Sequence, residues 1–144
     1  MSRFMFAETT IIIHAERGRV WDILVSPDYI RSWDDLPKDF NESRLEMGTE
    51  IKWTIEPDKF TTLTVTAWEP EQYLQQSLYV STWEKLPSPG DIAYHYILKD
   101  NGTTTLLSIR VGDFSLLSNG ESFYEASVEF ADRAAQKIKE LAEA

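Results

Sequence analysis

The chain contains no cysteine, so neither a disulfide nor a thiolate can stabilise it or serve its chemistry. Histidine is nearly as scarce. His14 and His95 fall on separate expected elements, and two imidazoles without a thiolate fall short of the converging ligands a zinc site needs. No metal or other cofactor is expected. His14-Ala15-Glu16 matches the first half of a zinc-deaminase signature, but its cysteine-bearing second half is missing. No serine sits in a Gly-x-Ser-x-Gly elbow, and no phosphate-cradling loop is present. Basic residues are few, 14 Lys plus Arg against 24 Asp plus Glu, which leaves a net charge of -10. That field repels phosphate backbones and anionic lipid, so nucleic-acid and membrane partners are not expected. Met1 to Ile13 carries Arg3 and Glu8 and has no apolar run of signal-peptide length, which predicts a cytoplasmic protein.

What the chain does have is strand alternation, aromatic residues and one long amphipathic stretch. Its 144 residues suit a single domain, 1–144, without repeat or linker, and a monomer is expected. From Ser118 to Ala144, Tyr124, Val128, Ala131, Ala135, Ile138 and Ala142 recur at steps of three and four, the stripe of one helix face. Ser118 with Glu121 reads as its capping box. Upstream, Phe4 to Ile13 reads as a strand, and its three isoleucines predict an end buried on both faces. Glu16 to Val25 has helical period, and a second helical turn through Tyr29, Ile30 and Trp33 follows, with Asp28 as its cap.

The middle is a meander with inward rows Ile51, Trp53, Ile55; Leu63, Val65, Ala67; Leu74, Gln76, Leu78, Val80; and Ile92, Tyr94, Tyr96, Leu98. Asn101-Gly102 turns the last of these into Thr105, Leu107, Ile109 and Val111. Trp68 shares the register of the threonines and is expected to face outward, as is His95. A lone long helix after such strands must bury its stripe against the sheet. The expected class is therefore α+β.

Ile13-His14-Ala15 followed by Val20-Trp21, Ile30, Trp33, Gly48, Trp68-Glu69-Pro70, Leu74 and Gly102-Thr103 resembles the START-like (SRPBCC, helix-grip) superfamily. Within it, the pattern is most similar to homologues of the activator of heat-shock protein 90 ATPase, and next to the polyketide cyclase and dehydrase-like group. Two positions depart from the activator-like pattern: Ser122-Phe123-Tyr124 stands where a Gly-Trp pair is usual, and Glu16 where a proline often precedes the first helix. The resemblance implies a curved antiparallel sheet of six or seven strands wrapped around the C-terminal helix, with two short helices after the first strand. It also implies an internal cavity for an apolar small molecule. It does not imply one activity, because this fold hosts carriers, receptors, cyclases and chaperone modules.

The leading expectation is a binding module for an apolar or amphipathic small molecule, without catalysis. Its wall is expected from Trp33, Trp53, Leu63, Val65, Gln76, Leu78, Tyr94, Tyr96, Leu107, Ile109, Tyr124 and Val128, with apolar desolvation supplying affinity and Gln76 and the tyrosine hydroxyls orienting a polar end. The first alternative is a cyclase or dehydratase-like enzyme, for which Asp34-Asp35, Glu69, His95, Arg110 and Asp113 are the ionisable groups able to reach a cleft. The second is a protein-interaction module docking on a partner such as a chaperone.

Overall fold

The computed structural model describes residues 4–144. Six strands run β1 (Ala7–Ile13), β2 (Glu50–Glu56), β3 (Lys59–Glu69), β4 (Tyr73–Val80), β5 (Ala93–Asn101) and β6 (Thr104–Gly112). They form one antiparallel sheet in the order β1-β6-β5-β4-β3-β2. Two short helices, α1 (Arg17–Val25) and α2 (Pro27–Trp33), intervene between β1 and β2, and the long helix α3 (Gly120–Glu143) follows β6 through a 3-10 turn at Phe114–Leu116.

Cross-strand register stacks the inward side chains into rows. One runs Val65, Gln76, Tyr94, Val111 and Ala7; the next runs Trp68, Leu74, Tyr96, Ile109 and Thr9. Trp68 is inside because β3 carries a bulge between Val65 and Ala67, which turns Ala67 outward and Trp68 inward. There it meets Trp21 at 6.2 Å and donates its indole N–H to the Leu45 carbonyl at 3.1 Å. The expected outward Trp68 and inward Ala67 are both overturned by this one extra residue. A second irregularity between Thr54 and Glu56 leaves Ile55 exposed rather than inward. Ile12 is also exposed, so the end of β1 is buried on one face only, through Ile13.

α3 lies mainly along β1 and β6. Ala131, Ala134 and Ala135 are all but inaccessible, and these small side chains let the helix backbone settle close to the sheet. Its C-terminal half also seals the free edge of β1: Lys139 Nζ donates to the Ile12 carbonyl and the His14 N–H donates to Glu143 Oε2, each at 2.8 Å. Arg19 of α1 closes the far end of α3, donating to the carbonyls of Ala142 at 2.7 Å and Leu141 at 3.0 Å, where a cation also suits the helix dipole. The expected capping box is not formed. The helix begins at Gly120 with Asn119 as its cap residue, and neither Ser118 nor Asn119 supplies a capping side chain. Asp28 likewise lies inside the first turn of α2, whose cap residue is Ser26 and whose first position is Pro27.

Gly18 lies within α1, and an added Cβ there would meet only the Glu71 carboxylate, at 3.7 Å. Space is therefore available, and helix propensity decides the sign. Gly18→Ala is expected to stabilise the protein by about 0.5–1 kcal/mol, read as a higher urea midpoint at unchanged slope.

Candidate functional site

The concave face is filled from two sides. α3 covers β1 and β6 and α1 packs on β5 and β6, while side chains from the ends of α1 and α2 and from the irregular chain 34–49 face β2, β3 and β4. Between that cover and the strands lies a cavity of about 10 Å³, lined by Trp33, Asp34, Asp35, Trp53, Leu63 and Gln76 together with Leu24, Ile30, Leu36, Leu45 and Ile51. Such a space holds about one water. The grip is closed down onto itself.

Of the expected wall residues, Trp33, Trp53, Leu63 and Gln76 line this cavity. Val65, Leu78, Tyr94 and Tyr96 share the inner sheet face but not the cavity lining, and Tyr94 directly neighbours Gln76 across β4 and β5. Leu107 and Ile109 are fully buried on β6, and Tyr124 and Val128 lie half-buried on α3. Sequence reasoning left out the contributors from the irregular cover, chiefly Leu36 and Leu45. Isolated leucines in an otherwise polar stretch were the available signal.

Trp33 is held by a local rule. A helix interior would satisfy the Ile23 carbonyl with the N–H four residues on, but that residue is Pro27, which has none. The Trp33 indole takes the vacancy, donating to the Ile23 carbonyl at 2.8 Å. The ring then stands edge-on to Tyr96, with centroids 5.9 Å apart. Thus the proline that separates α1 from α2 also fixes the ring over the sheet.

Asp34 follows at once, at the C-terminal cap of α2, where its backbone N–H donates to the Ile30 carbonyl at 2.7 Å. Its carboxyl is pushed up to about 6, chiefly because burial disfavours the charge. The Asp35 N–H opposes this, the Asp35 charge adds to it, and Arg133 on α3 pulls weakly down. Among the described residues Asp34 makes no ion pair. Its charge in turn raises both tyrosines: burial and then Asp34 lift Tyr94 to about 12, and the fully enclosed Tyr96 rises well above the usual phenol range.

The sign of the linkage follows. The folded state holds the Asp34 proton more tightly than the unfolded chain, so stability is greatest below about 3.8 and is lost as pH rises through about 6. Discounted for partial solvent access, the loss is on the order of 1–2 kcal/mol. Asp34→Asn should therefore raise the unfolding free energy obtained from urea denaturation at about pH 8 by that amount and leave it nearly unchanged at about pH 4.

His95 faces outward as expected but is half-buried. Its ring stacks on Tyr73 at 6.0 Å, and Nδ1 lies 2.5 Å from the Tyr73 hydroxyl, which itself donates to Gln75 Oε1 at 3.0 Å. With that proton committed, His95 Nδ1–H is the donor to Tyr73. Burial first, and the nearby Arg110 second, hold the imidazole below its usual range and so neutral. Gln75 extends the chain to Thr66 at 2.7 Å, Thr66 to Ser77 at 2.7 Å, and Ser77 accepts from the Gly90 N–H at 2.8 Å. This network fastens the loop after β4 to the outer face, remote from the grip.

An open cleft of about 700 Å³ lies between residues 82–88 and the turn Leu116–Asn119 before α3. A groove of about 480 Å³ crosses the outer face under residues 86–89. The charged side chains lining both are exposed, whereas Asp34 is largely withdrawn from solvent without an ion pair, which is why the closed grip, despite its small volume, is the stronger candidate site. Asp113, another expected candidate, lies at the far end of β6, accepting from the Met5 N–H at 2.7 Å and the Ser115 N–H at 2.9 Å. Among the described residues no group of three or more His, Asp or Glu side chains forms a metal-ligand cluster, and no helix is long and apolar enough to cross a membrane.

A curved antiparallel sheet closed on one long C-terminal helix, with two short helices after the first strand, defines a START-like, helix-grip protein. Solved structures share this fold. The Aha1 dimer from Colwellia psychrerythraea aligns over 95% of this chain and 96% of its own, at 14% identity and a TM-score of 0.67. Protein MLL2253 from Mesorhizobium loti aligns over 94% and 96%, at 15% identity and a TM-score of 0.70. DynU16, from the dynemicin biosynthetic locus, aligns over 95% of this chain and 48% of its own, at 13% identity and a TM-score of 0.61. A search of curated proteins finds no match. The model of the family described as Activator of Hsp90 ATPase homolog 1-like protein matches residues 14–143, and the chain belongs to that family.

Proposed function

We propose that this protein is a binding module for an amphipathic small molecule, taken into the grip between the β2–β4 half of the sheet and the α1–α2 cover. The observation that carries this reading is the placing of Asp34, Asp35 and Gln76 on the wall of a cavity whose other lining residues are apolar or aromatic, with Tyr94 next to Gln76 across β4 and β5. Packing alone would favour apolar side chains there, since burying polar groups costs stability unless they gain partners. Apolar walls supply affinity by desolvation, and the polar side chains orient one end of the ligand. The ligand makes its room by displacing the irregular chain 34–44, which has no helix or strand of its own, while Leu45 beyond it stays tied to Val25 and Trp68. Titration of a panel of aromatic and aliphatic amphiphiles, followed by backbone and indole NMR shifts, tests the reading. Shifts concentrated at Trp33, Trp53 and Gln76 support it; a panel that moves none of them sinks it.

One observation favours acid–base catalysis as a second reading. A carboxyl near 6 is suited to proton transfer at neutral pH, as a cyclase or dehydratase requires. Under that reading Asp34→Asn keeps ligand binding and loses turnover. Under the first, no turnover accompanies binding in either form.

A further inference from the structure

We infer that the ligand of the grip carries a protonated nitrogen, an amine or a related cation, and that it docks against the Asp34 carboxylate beside the indole rings of Trp33 and Trp53. The inference rests on the binding reading above and specifies the ligand's chemistry.

Four observations converge on it. Asp34 lies in the cavity wall, yet no ion pair satisfies it among the described residues. The charges that act on it are Asp35, of the same sign, and Arg133 on α3, which is exposed and contributes least. On β5 its charge acts on the phenols Tyr94 and Tyr96, which offer it no positive charge. A carboxylate so placed lacks a cation, and a ligand bearing one completes it.

The rings add a second attraction. Trp33 and Trp53 line the cavity, and Trp33 meets Tyr96 edge to face at 5.9 Å, so its ring is fixed before any ligand arrives. Aromatic faces beside a carboxylate suit a cation and gain little from a neutral head. An anionic head meets Asp34 and Asp35 and is repelled. The net charge of -10 also raises the local concentration of cations around the whole chain.

A matched set of probes separates these possibilities: 2-naphthylethylamine, 2-naphthylethanol and 2-naphthylacetate, each titrated calorimetrically at about pH 7.5. The amine is expected to bind about tenfold more tightly than the alcohol, as a charge-assisted hydrogen bond would give, and the carboxylate not measurably. Asp34→Asn should remove that tenfold advantage, so that amine and alcohol bind alike, with circular dichroism confirming the fold. In the wild-type protein, amine affinity should fall as pH drops below about 6, because Asp34 then takes up a proton, while alcohol affinity stays level. Equal binding of amine and alcohol, or an amine preference that survives Asp34→Asn, overturns the cation assignment and leaves the binding module standing. Absence of binding by all three, with no shift at Trp33, Trp53 or Gln76, overturns both.

Discussion

Gly120→Ala should lower the stability of this protein by about 3 kcal/mol or more, a large share of the roughly 5–15 kcal/mol that holds a domain together. Two effects oppose each other at this position. Alanine is the better helix former by about 1 kcal/mol, which alone would stabilise the first turn of α3. Yet the added Cβ would overlap the Phe114 carbonyl oxygen and come within 2.8 Å of its carbonyl carbon. Backbone cannot yield there as the tip of a long side chain can, because Phe114 is fully buried, stacks on Phe123 at 5.9 Å, and uses the same carbonyl to accept from the Leu117 N–H at 3.1 Å. Sterics therefore decide the sign. Urea denaturation of both forms measures it, with Gly18→Ala as the roomy counterpart; a Gly120→Ala midpoint at or above the parent's would refute the argument.

Trp33→Ala is expected to cost about 3–5 kcal/mol, since it deletes a large buried ring and leaves a cavity. It also strands the Ile23 carbonyl, whose helical donor Pro27 cannot supply. Trp33→Phe isolates that second effect: the ring largely remains, the indole N–H is lost, and about 1–3 kcal/mol should go. The two variants differ in a further way. Removing the whole side chain enlarges the space beside Asp34 and Gln76, so Trp33→Ala should admit probes too bulky for the parent grip, whereas Trp33→Phe should not. Equal losses from both substitutions would mean that the hydrogen bond to Ile23 dominates and that packing over Tyr96 contributes little.

The strands and the long helix were legible because alternation and helical period survive in side-chain identity alone. Gln76, Tyr94 and Tyr96 fell on the inner face by that count, and register confirms that they do. Trp68 did not, because one extra residue at a bulge inverts everything after it, and an insertion of one leaves no mark on composition. The apparent capping box at Ser118 failed for a related reason. Spacing nominates a cap, but the close approach of Gly120 to Phe114 sets where the helix begins. Asp34 was visible as an acid and invisible as a buried one. Its surroundings depend on how α2 lies across strands that come later in the chain, a tertiary fact that no local pattern encodes.

The alanines of α3 have a consequence for how this fold can change. They sit flush on β1 and β6, and both ends of that contact are tied, by Phe114 against Gly120 at one end and by Arg19, Lys139 and Glu143 at the other. The opposite half of the concavity is covered by chain without regular structure, tied firmly only at its far end, where the Leu45 N–H donates to the Val25 carbonyl at 2.8 Å and its carbonyl accepts from the Trp68 indole at 3.1 Å; before that, Arg31 reaches the carbonyls of Pro37 and Phe40 from the surface. The molecule thus has a fixed jaw and a looser cover hinged at Leu45. Alterations that reshape its interior should accumulate in residues 34–44, while the jaw itself tolerates almost none.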